Sequence, residues 1–262
     1  MDRISISTYS LEDIAAYRPH AERLHGGFEL HTFADPALLC CNGDLEHIVA
    51  HYEAALAGFS GILGFHGAFY DMISASVDPD VVALTLRRYR QGVDIAGRLH
   101  GDYIIFHANY MGGWKLANYR SGWHERQVNF WRPFVEEAAA RGLTVLLENM
   151  WAPEPEILYD VLAAVNHPAM RACLDMAHAA LYSQEALSHW IEVLAPFLHV
   201  CHLNNTDGVL DNHLPLGVGI IDYGPILNQL RALPQPPLLT LEMPSWEIVS
   251  SSLPFFDLPQ PA

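Results

Sequence analysis

Six short apolar runs in this chain each end in a histidine or a carboxylate, the side chains that most often bind divalent metal ions. The run 103–107 (YIIFH) is an example, and a short run that is apolar throughout is typical of a buried parallel strand. In a barrel of such strands, the catalytic groups lie at the carboxyl ends. The repeated position therefore predicts a metal site at one rim of a barrel. The six terminal residues are His66, His107, Glu148, Asp175, His202 and Glu242.

Two further spacings add three candidate ligands. His178 follows Asp175 by one helical turn, and Asp211 and His213 lie on the same side of the chain if their segment is extended. The set then contains five imidazoles and four carboxylates, which suit zinc, manganese or iron better than magnesium or calcium, because the latter two prefer oxygen ligands. The predicted ligands are His66, His107, Glu148, Asp175, His178, His202, Asp211, His213 and Glu242.

The order of the elements predicts an α/β fold, because strand-like runs alternate with amphipathic helical stretches along the whole chain. The predicted strands are 3–8, 27–31, 61–66, 103–107, 143–148, 171–175, 198–202 and 238–242. A length of 262 residues matches one (β/α)8 TIM barrel, so we expect a single domain over residues 1–262. The proline-rich end of the chain predicts that the eighth helix is short or irregular.

Charge and hydropathy limit the classes of partner. The net charge is −16, from 30 acidic and 14 basic residues, and Lys115 is the sole lysine. Affinity for duplex nucleic acid rests on several lysine and arginine contacts to phosphates, so no duplex partner is expected. No stretch approaches the roughly 18 apolar residues of a spanning helix, and residues 1–5 lack a signal-peptide pattern. We predict a cytoplasmic protein with no membrane partner and a small-molecule substrate.

Three loops that follow strand ends, 67–77, 108–122 and 203–221, are longer than a barrel requires and should cover the active rim. The aromatic side chains of the second loop either stack on a substrate or pack on the barrel, and the sequence leaves both alternatives open. It also leaves open whether Glu29 binds substrate or forms an ion pair at the rim. The predicted substrate-binding residues are Tyr70, Lys115, Arg120 and Asn204, of which Lys115 and Arg120 would bind phosphate.

Motifs near the seventh strand resemble the xylose isomerase-like barrels, the superfamily that joins endonuclease IV with sugar isomerases and epimerases. These are the stretch 202–206 (HLNNT) and the pair Asp211-x-His213 followed by 216–219 (LGVG). The resemblance covers nearly the whole chain and implies one metal held by a set common to both branches, here Glu148, Asp175, His202 and Glu242. Five more positions match those that complete a three-zinc cluster in endonuclease IV-like members: His66, His107, His178, Asp211 and His213.

The complete set implies a metal-dependent hydrolase that cleaves a phosphodiester in a small or medium organophosphate, with up to three zinc ions and with Glu148 and Glu242 as catalytic residues. The stretch 212–217 (NHLPLG) is similar to the cobamide-remodelling phosphodiesterases, which cut the nucleotide loop of corrinoids. The alternative is a single-metal sugar or sugar-phosphate isomerase or epimerase, in which Glu148 and Glu242 exchange a proton with the sugar. The presence of His178 does not distinguish the hydrolase from the epimerase, because epimerases use the equivalent residue to bind substrate. A non-catalytic barrel that binds a metabolite or partner is a further alternative.

Overall fold

Eight parallel strands close into a barrel in sequence order, and the first strand pairs with both the second and the eighth. The computed structural model describes residues 1–40 and 42–259. Each predicted strand is confirmed within two residues at either end. The strands are β1 (Ile4–Thr8), β2 (Gly27–Leu30), β3 (Leu63–His66), β4 (Tyr103–His107), β5 (Thr144–Glu148), β6 (Met170–Asp175), β7 (Leu198–Leu203) and β8 (Leu238–Leu241). The predicted (β/α)8 TIM barrel is therefore confirmed.

Ten α-helices of the described residues surround the barrel or connect its strands. They are α1 (Leu11–Arg23), α2 (Pro36–Cys40), α3 (Asn42–Leu56), α4 (Pro79–Arg98), α5 (Tyr119–Ala139), α6 (Glu156–Val165), α7 (Met176–Tyr182), α8 (Leu187–Leu194), α9 (Tyr223–Arg231) and α10 (Trp246–Ser252). The sequence did not predict α2 and α7, which are too short to show a helical period. The final helix, α10, has seven residues, as expected for a short eighth helix.

Register between neighbouring strands brings the predicted ligands to the same level of the barrel. His107 pairs with Glu148 across β4 and β5, and Asp175 pairs with His202 across β6 and β7. Beneath these ends, buried side chains such as Tyr103, Ile105 and Leu146 form a separate apolar cluster. No helix in the described part of the chain is long and apolar enough to cross a membrane. The strand ends therefore form a polar layer above a packed apolar interior.

Candidate metal centre

Glu148, at the end of β5, lies at the middle of the nine predicted ligands and is fully buried. Its Oε2 is 3.3 Å from Nε2 of His66 and 3.4 Å from Nε2 of His107. Its other oxygen, Oε1, is 3.2 Å from Nδ1 of His178 and 3.5 Å from Nδ1 of His202. The two oxygens of one carboxylate thus face two different sets of imidazoles. Such a carboxylate is placed to bridge two cations.

On the β6–β8 side, two carboxylate ligands converge on the imidazole of a third ligand, His202. Nδ1 of His202 lies 3.0 Å from Oε2 of Glu242 and 3.9 Å from Oδ2 of Asp175, and ligand atoms of the three residues lie within 4.8 Å of one another. Asp175 also begins helix α7: its Oδ1 accepts a hydrogen bond of 2.6 Å from the backbone N–H of His178. Its Oδ2 accepts a bond of 3.0 Å from the side-chain amide of Asn204. Both oxygens are therefore fixed in direction.

The loop after β7 places the last two ligands at the mouth of the pocket. Oδ2 of Asp211 is 3.1 Å from Nε2 of His178, and Oδ1 of Asp211 is 3.4 Å from Nε2 of His213. The base of this loop is held by Asn205, whose backbone forms an antiparallel bridge with Leu214. The nine predicted ligands therefore lie in one continuous cluster, and their binding of metal ions stays a prediction.

Three of the histidines point one nitrogen at a backbone carbonyl and the other into the cluster. Nδ1 is 2.9 Å from the carbonyl oxygen of Gly67 for His66, 3.1 Å from that of Asn149 for His178, and 2.8 Å from that of Glu242 for His213. A carbonyl oxygen only accepts, so Nδ1 carries a proton in each case, and Nε2 is the nitrogen that faces the carboxylates and is available to a metal ion. Metal-binding histidines have this arrangement.

The cluster concentrates four carboxylates, and no guanidinium or ammonium group of the described residues lines the pocket above it. Burial alone would raise the pKa of Glu148, but the neighbouring imidazoles of His107 and His202 hold it well below its usual range. Burial raises the pKa of Asp175 to about 6. In addition, Nδ1 of His202 and Oε2 of Glu242 are buried and, although they lie 3.0 Å apart, neither forms an aligned hydrogen bond with any described residue. Because buried carboxylates require pairing or a metal, this donor set fits divalent cations.

A pocket of about 570 Å³ opens above the cluster and gives a substrate access to it. Seven of the nine ligands line this pocket, while Asp175 and His202 lie beneath its floor. Phe69, Met150 and Asp35 also line it, and the sequence did not single them out, because they show only proximity to a predicted ligand or strand end. No lysine or arginine of the described residues is among the lining side chains.

The four predicted substrate-binding residues do not lie together in the structure. Tyr70 lines the pocket and is 60% exposed. Asn204 is buried behind Asp175, to which it donates. Lys115 is exposed on the 108–122 loop away from the pocket lining, and Arg120 lines another groove, where it pairs with Glu154 and Asp160. Only Tyr70 of these four is therefore in direct contact with the pocket.

The sequence profile of the xylose isomerase-like TIM barrel family matches residues 28–256. The chain belongs to this family. The TTHB071 protein of Thermus thermophilus, solved after soaking with ZnCl2, is 30% identical, has a TM-score of 0.74, and the match covers 97% of this chain and 96% of that one. A D-tagatose 3-epimerase-like protein is 19% identical with a TM-score of 0.75, over 96% and 94% of the two chains. The latter similarity shows the shared fold.

An uncharacterised protein of Methanocaldococcus jannaschii, MJ1311, is 25% identical over 188 residues, which span 68% of this chain and 62% of that relative. The chain thus spans less than two thirds of the length of this relative. Further structural neighbours at 15–19% identity are described as sugar epimerases, including an L-ribulose 3-epimerase. These similarities show the shared fold.

Proposed function

We propose that this protein is a metal-dependent phosphodiesterase with a polynuclear, zinc-binding centre. The observation that carries the proposal is the position of Glu148, whose two oxygens face separate imidazole sets. A carboxylate that bridges two ions suits a phosphoryl displacement, in which both the entering and the leaving oxygen require stabilisation. A zinc-soaked relative at 30% identity supports zinc as the metal.

The residues of the chain have distinct roles in this proposal. His66, His107 and one oxygen of Glu148 would hold one ion. The other oxygen of Glu148, with Asp175, His202 and Glu242, would hold a second, and His178, Asp211 and His213 would hold a third at the mouth. When bound, the ions activate water and neutralise the charge that develops on the phosphoryl group. Glu148 and Glu242 orient this water toward phosphorus, opposite the P–O bond that breaks. Phe69 and Met150 would limit the access of other water.

The net charge of the metal centre depends on the number of bound ions, and this charge decides whether an anionic phosphodiester or a neutral sugar binds. Four carboxylates belong to the ligand set, and no lysine or arginine of the described residues lines the pocket. With one divalent ion the centre stays negative, which disfavours a phosphodiester anion and is compatible with a neutral sugar. With three ions it becomes positive and attracts the anion. A phosphodiesterase of this sequence therefore requires more than one ion.

The rim around the pocket supports a substrate with a large apolar body, such as a cobamide that carries its phosphodiester in a nucleotide loop. Apart from Met1 and Tyr182, every large apolar side chain that is exposed among the described residues lies between a strand and the helix that follows it. Tyr70, which lines the pocket, is 60% exposed, and Leu210, on another loop beside the ligand Asp211, is 61% exposed. Exposed apolar patches of this kind often mark ligand-binding surfaces.

The second candidate is a single-metal sugar or sugar-phosphate isomerase or epimerase, and the names of the structural neighbours favour it. Glu148 and Glu242 both approach the same nitrogen of His202, at 3.5 Å and 3.0 Å from its Nδ1. They could exchange a proton with a sugar bound between them. This candidate needs neither His66 nor His107.

Zinc content and activity, measured on the same preparation, test the proposal. Metal-free protein should be reloaded with zinc and analysed for zinc per chain. Hydrolysis of bis(4-nitrophenyl) phosphate and of a cobamide should then be assayed beside epimerisation of ketohexoses. We expect two or three ions per chain together with diester cleavage. One ion per chain with ketose epimerisation and no hydrolysis would establish the second candidate instead.

A further inference from the structure

Glu29, near the end of β2, is a completely buried carboxylate that the nine-ligand set leaves without a role. Its Oε2 accepts hydrogen bonds from the hydroxyl of Tyr103 at 2.8 Å and from that of Thr240 at 3.4 Å. Its Oε1 is 3.0 Å from Nε2 of His31 and 2.9 Å from Nε2 of His202. A buried charge is costly unless it is paired, and here the partners are imidazoles and hydroxyls.

His202 differs from His66, His178 and His213 in the group that faces its outer nitrogen. His66, His178 and His213 each have a backbone carbonyl at Nδ1. His202 instead has the carboxylate of Glu29 at Nε2, and its Nδ1 faces the cluster. The contact with Glu29 is close but is not aligned as a hydrogen bond, so distance and charge define it. The ring of His202 is therefore inverted relative to the other three.

We propose that Glu29 is a positioning residue that makes His202 a metal ligand through Nδ1. The carboxylate of Glu29 keeps a proton on Nε2, which leaves the Nδ1 lone pair directed at the carboxylates of Glu242 and Asp175. A carboxylate partner also makes the imidazole a stronger donor to a metal than a carbonyl partner does. The inference concerns metal binding alone, so failure to hydrolyse a diester would not affect it.

The surroundings of Glu29 fix its direction. Tyr103 lies on β4 and Thr240 on β8, so bonds from opposite parts of the barrel hold the oxygen that faces away from the imidazoles. His31 shares the other oxygen with His202. Because each of these side chains is itself buried, Glu29 has little freedom to turn away from His202.

Glu29→Gln tests the proposal, because the amide keeps the shape of the side chain and removes its charge. The loss of a carboxylate that supports a metal-binding histidine weakens metal affinity by about 10–100-fold. Competition with a chromophoric chelator should therefore show that Glu29→Gln retains one zinc ion fewer per chain than the wild type. The visible spectrum of the cobalt-substituted protein should change as well. If the metal-free variant keeps the thermal stability of the wild type, this spectral change cannot come from a purely structural role of Glu29.

Tyr103→Phe is the matched control, because it removes a partner of the other Glu29 oxygen and leaves the contact with His202. It should retain zinc as the wild type does. Equal retention of zinc by Glu29→Gln and the wild type would overturn the proposal.

A second measurement needs no change at Glu29. Long-range 1H–15N spectra of zinc-loaded wild-type protein, with His202 assigned through His202→Asn, should show the proton on Nε2. A proton on Nδ1 would refute the proposal even if Glu29→Gln does not fold.

Discussion

The candidate metal centre has two halves of opposite composition that share Glu148. The imidazole-rich half contains His66 and His107, and the carboxylate-rich half contains Asp175, His202 and Glu242. A divalent ion in the carboxylate-rich half is neutralised by its two carboxylates, whereas an ion in the imidazole-rich half keeps positive charge even when Glu148 is counted. An anionic substrate should therefore bind over the imidazole-rich half. The carboxylate-rich half, together with Glu148, is the set of metal ligands that the resemblance implies for both branches of the family.

Glu148→Gln should have the largest effect, because it removes the charge that both halves share. We expect the variant to lose more than one zinc ion per chain. Its rate of diester hydrolysis should fall by more than the roughly 100-fold that loss of an outer partner causes. Elemental analysis and initial-rate assays measure the two effects. Loss of a single ion with full activity would show that the halves are independent.

His66→Ala and His107→Ala should separate the halves, since the carboxylate with which both residues pair is the shared Glu148 and not Asp175 or Glu242. We expect each variant to lose the ion of the imidazole-rich half, to keep the ion near Asp175, and to lose diester hydrolysis. His189→Ala is a matched control, because His189 is an exposed histidine paired with Glu156 outside the pocket. If the two variants keep a ketose epimerase activity, the second candidate function is correct.

The pH dependence of stability should also differ between the mouth of the centre, which contains His213, and the imidazole-rich half, which contains His107, in the metal-free protein. Burial alone would lower the pKa of His213, but Glu242 and Asp211 raise it to about 10. The protonated form therefore stabilises the fold below about pH 6.5, the unfolded value, and this contribution is lost as the pH rises through 10. The melting temperature should fall across that window.

His213→Gln should flatten this fall, and His107→Gln should leave it unchanged. Burial lowers the pKa of His107, so this imidazole is neutral in both the folded and the unfolded state above about pH 6.5. In a chain of this size, 1 kcal/mol corresponds to about 2–4 °C, which thermal denaturation resolves. Equal slopes for the two variants would contradict the assignment to His213.

Arg120→Ala should have the smallest effect. The loop after β4 runs beside the imidazole-rich half, yet Arg120 pairs with Glu154 and Asp160 in another groove. Exposed ion pairs contribute about 0.2–1 kcal/mol, so stability should change little. Hydrolysis of a small diester should be unchanged, and a substantial rise in KM would show that this loop reaches the substrate, as the sequence predicted.

The strands and the ligand positions could be predicted because both depend on local sequence. A short apolar run specifies a buried strand, and the residue at its carboxyl end then lies at the rim, as for His107 and Glu148. The same logic predicted the closed barrel, because eight such runs separated by helical stretches leave few other arrangements.

The contacts behind the ligands could not be predicted, because they join residues far apart in the chain. Glu29 contacts Tyr103 and Thr240 only after the barrel closes. The positions of these three residues in the sequence do not indicate that contact. Asn204 was predicted to bind substrate from its place after β7, and spacing gave no sign that its side chain is buried and donates to Asp175. Spacing predicts which residues share a rim but not which nitrogen or oxygen faces inward.

Asn205 has a consequence for how the centre assembles. Its side chain bonds the carbonyl oxygens of Leu216 at 2.9 Å and Ile221 at 3.0 Å, so it pins the far end of the loop that carries Asp211 and His213 to its start. The entropy of ordering that loop is then lost during folding and not when an ion arrives. The mouth of the centre is in this sense preorganised, and a chelator that strips its metal should leave the loop in place, ready for rapid reloading.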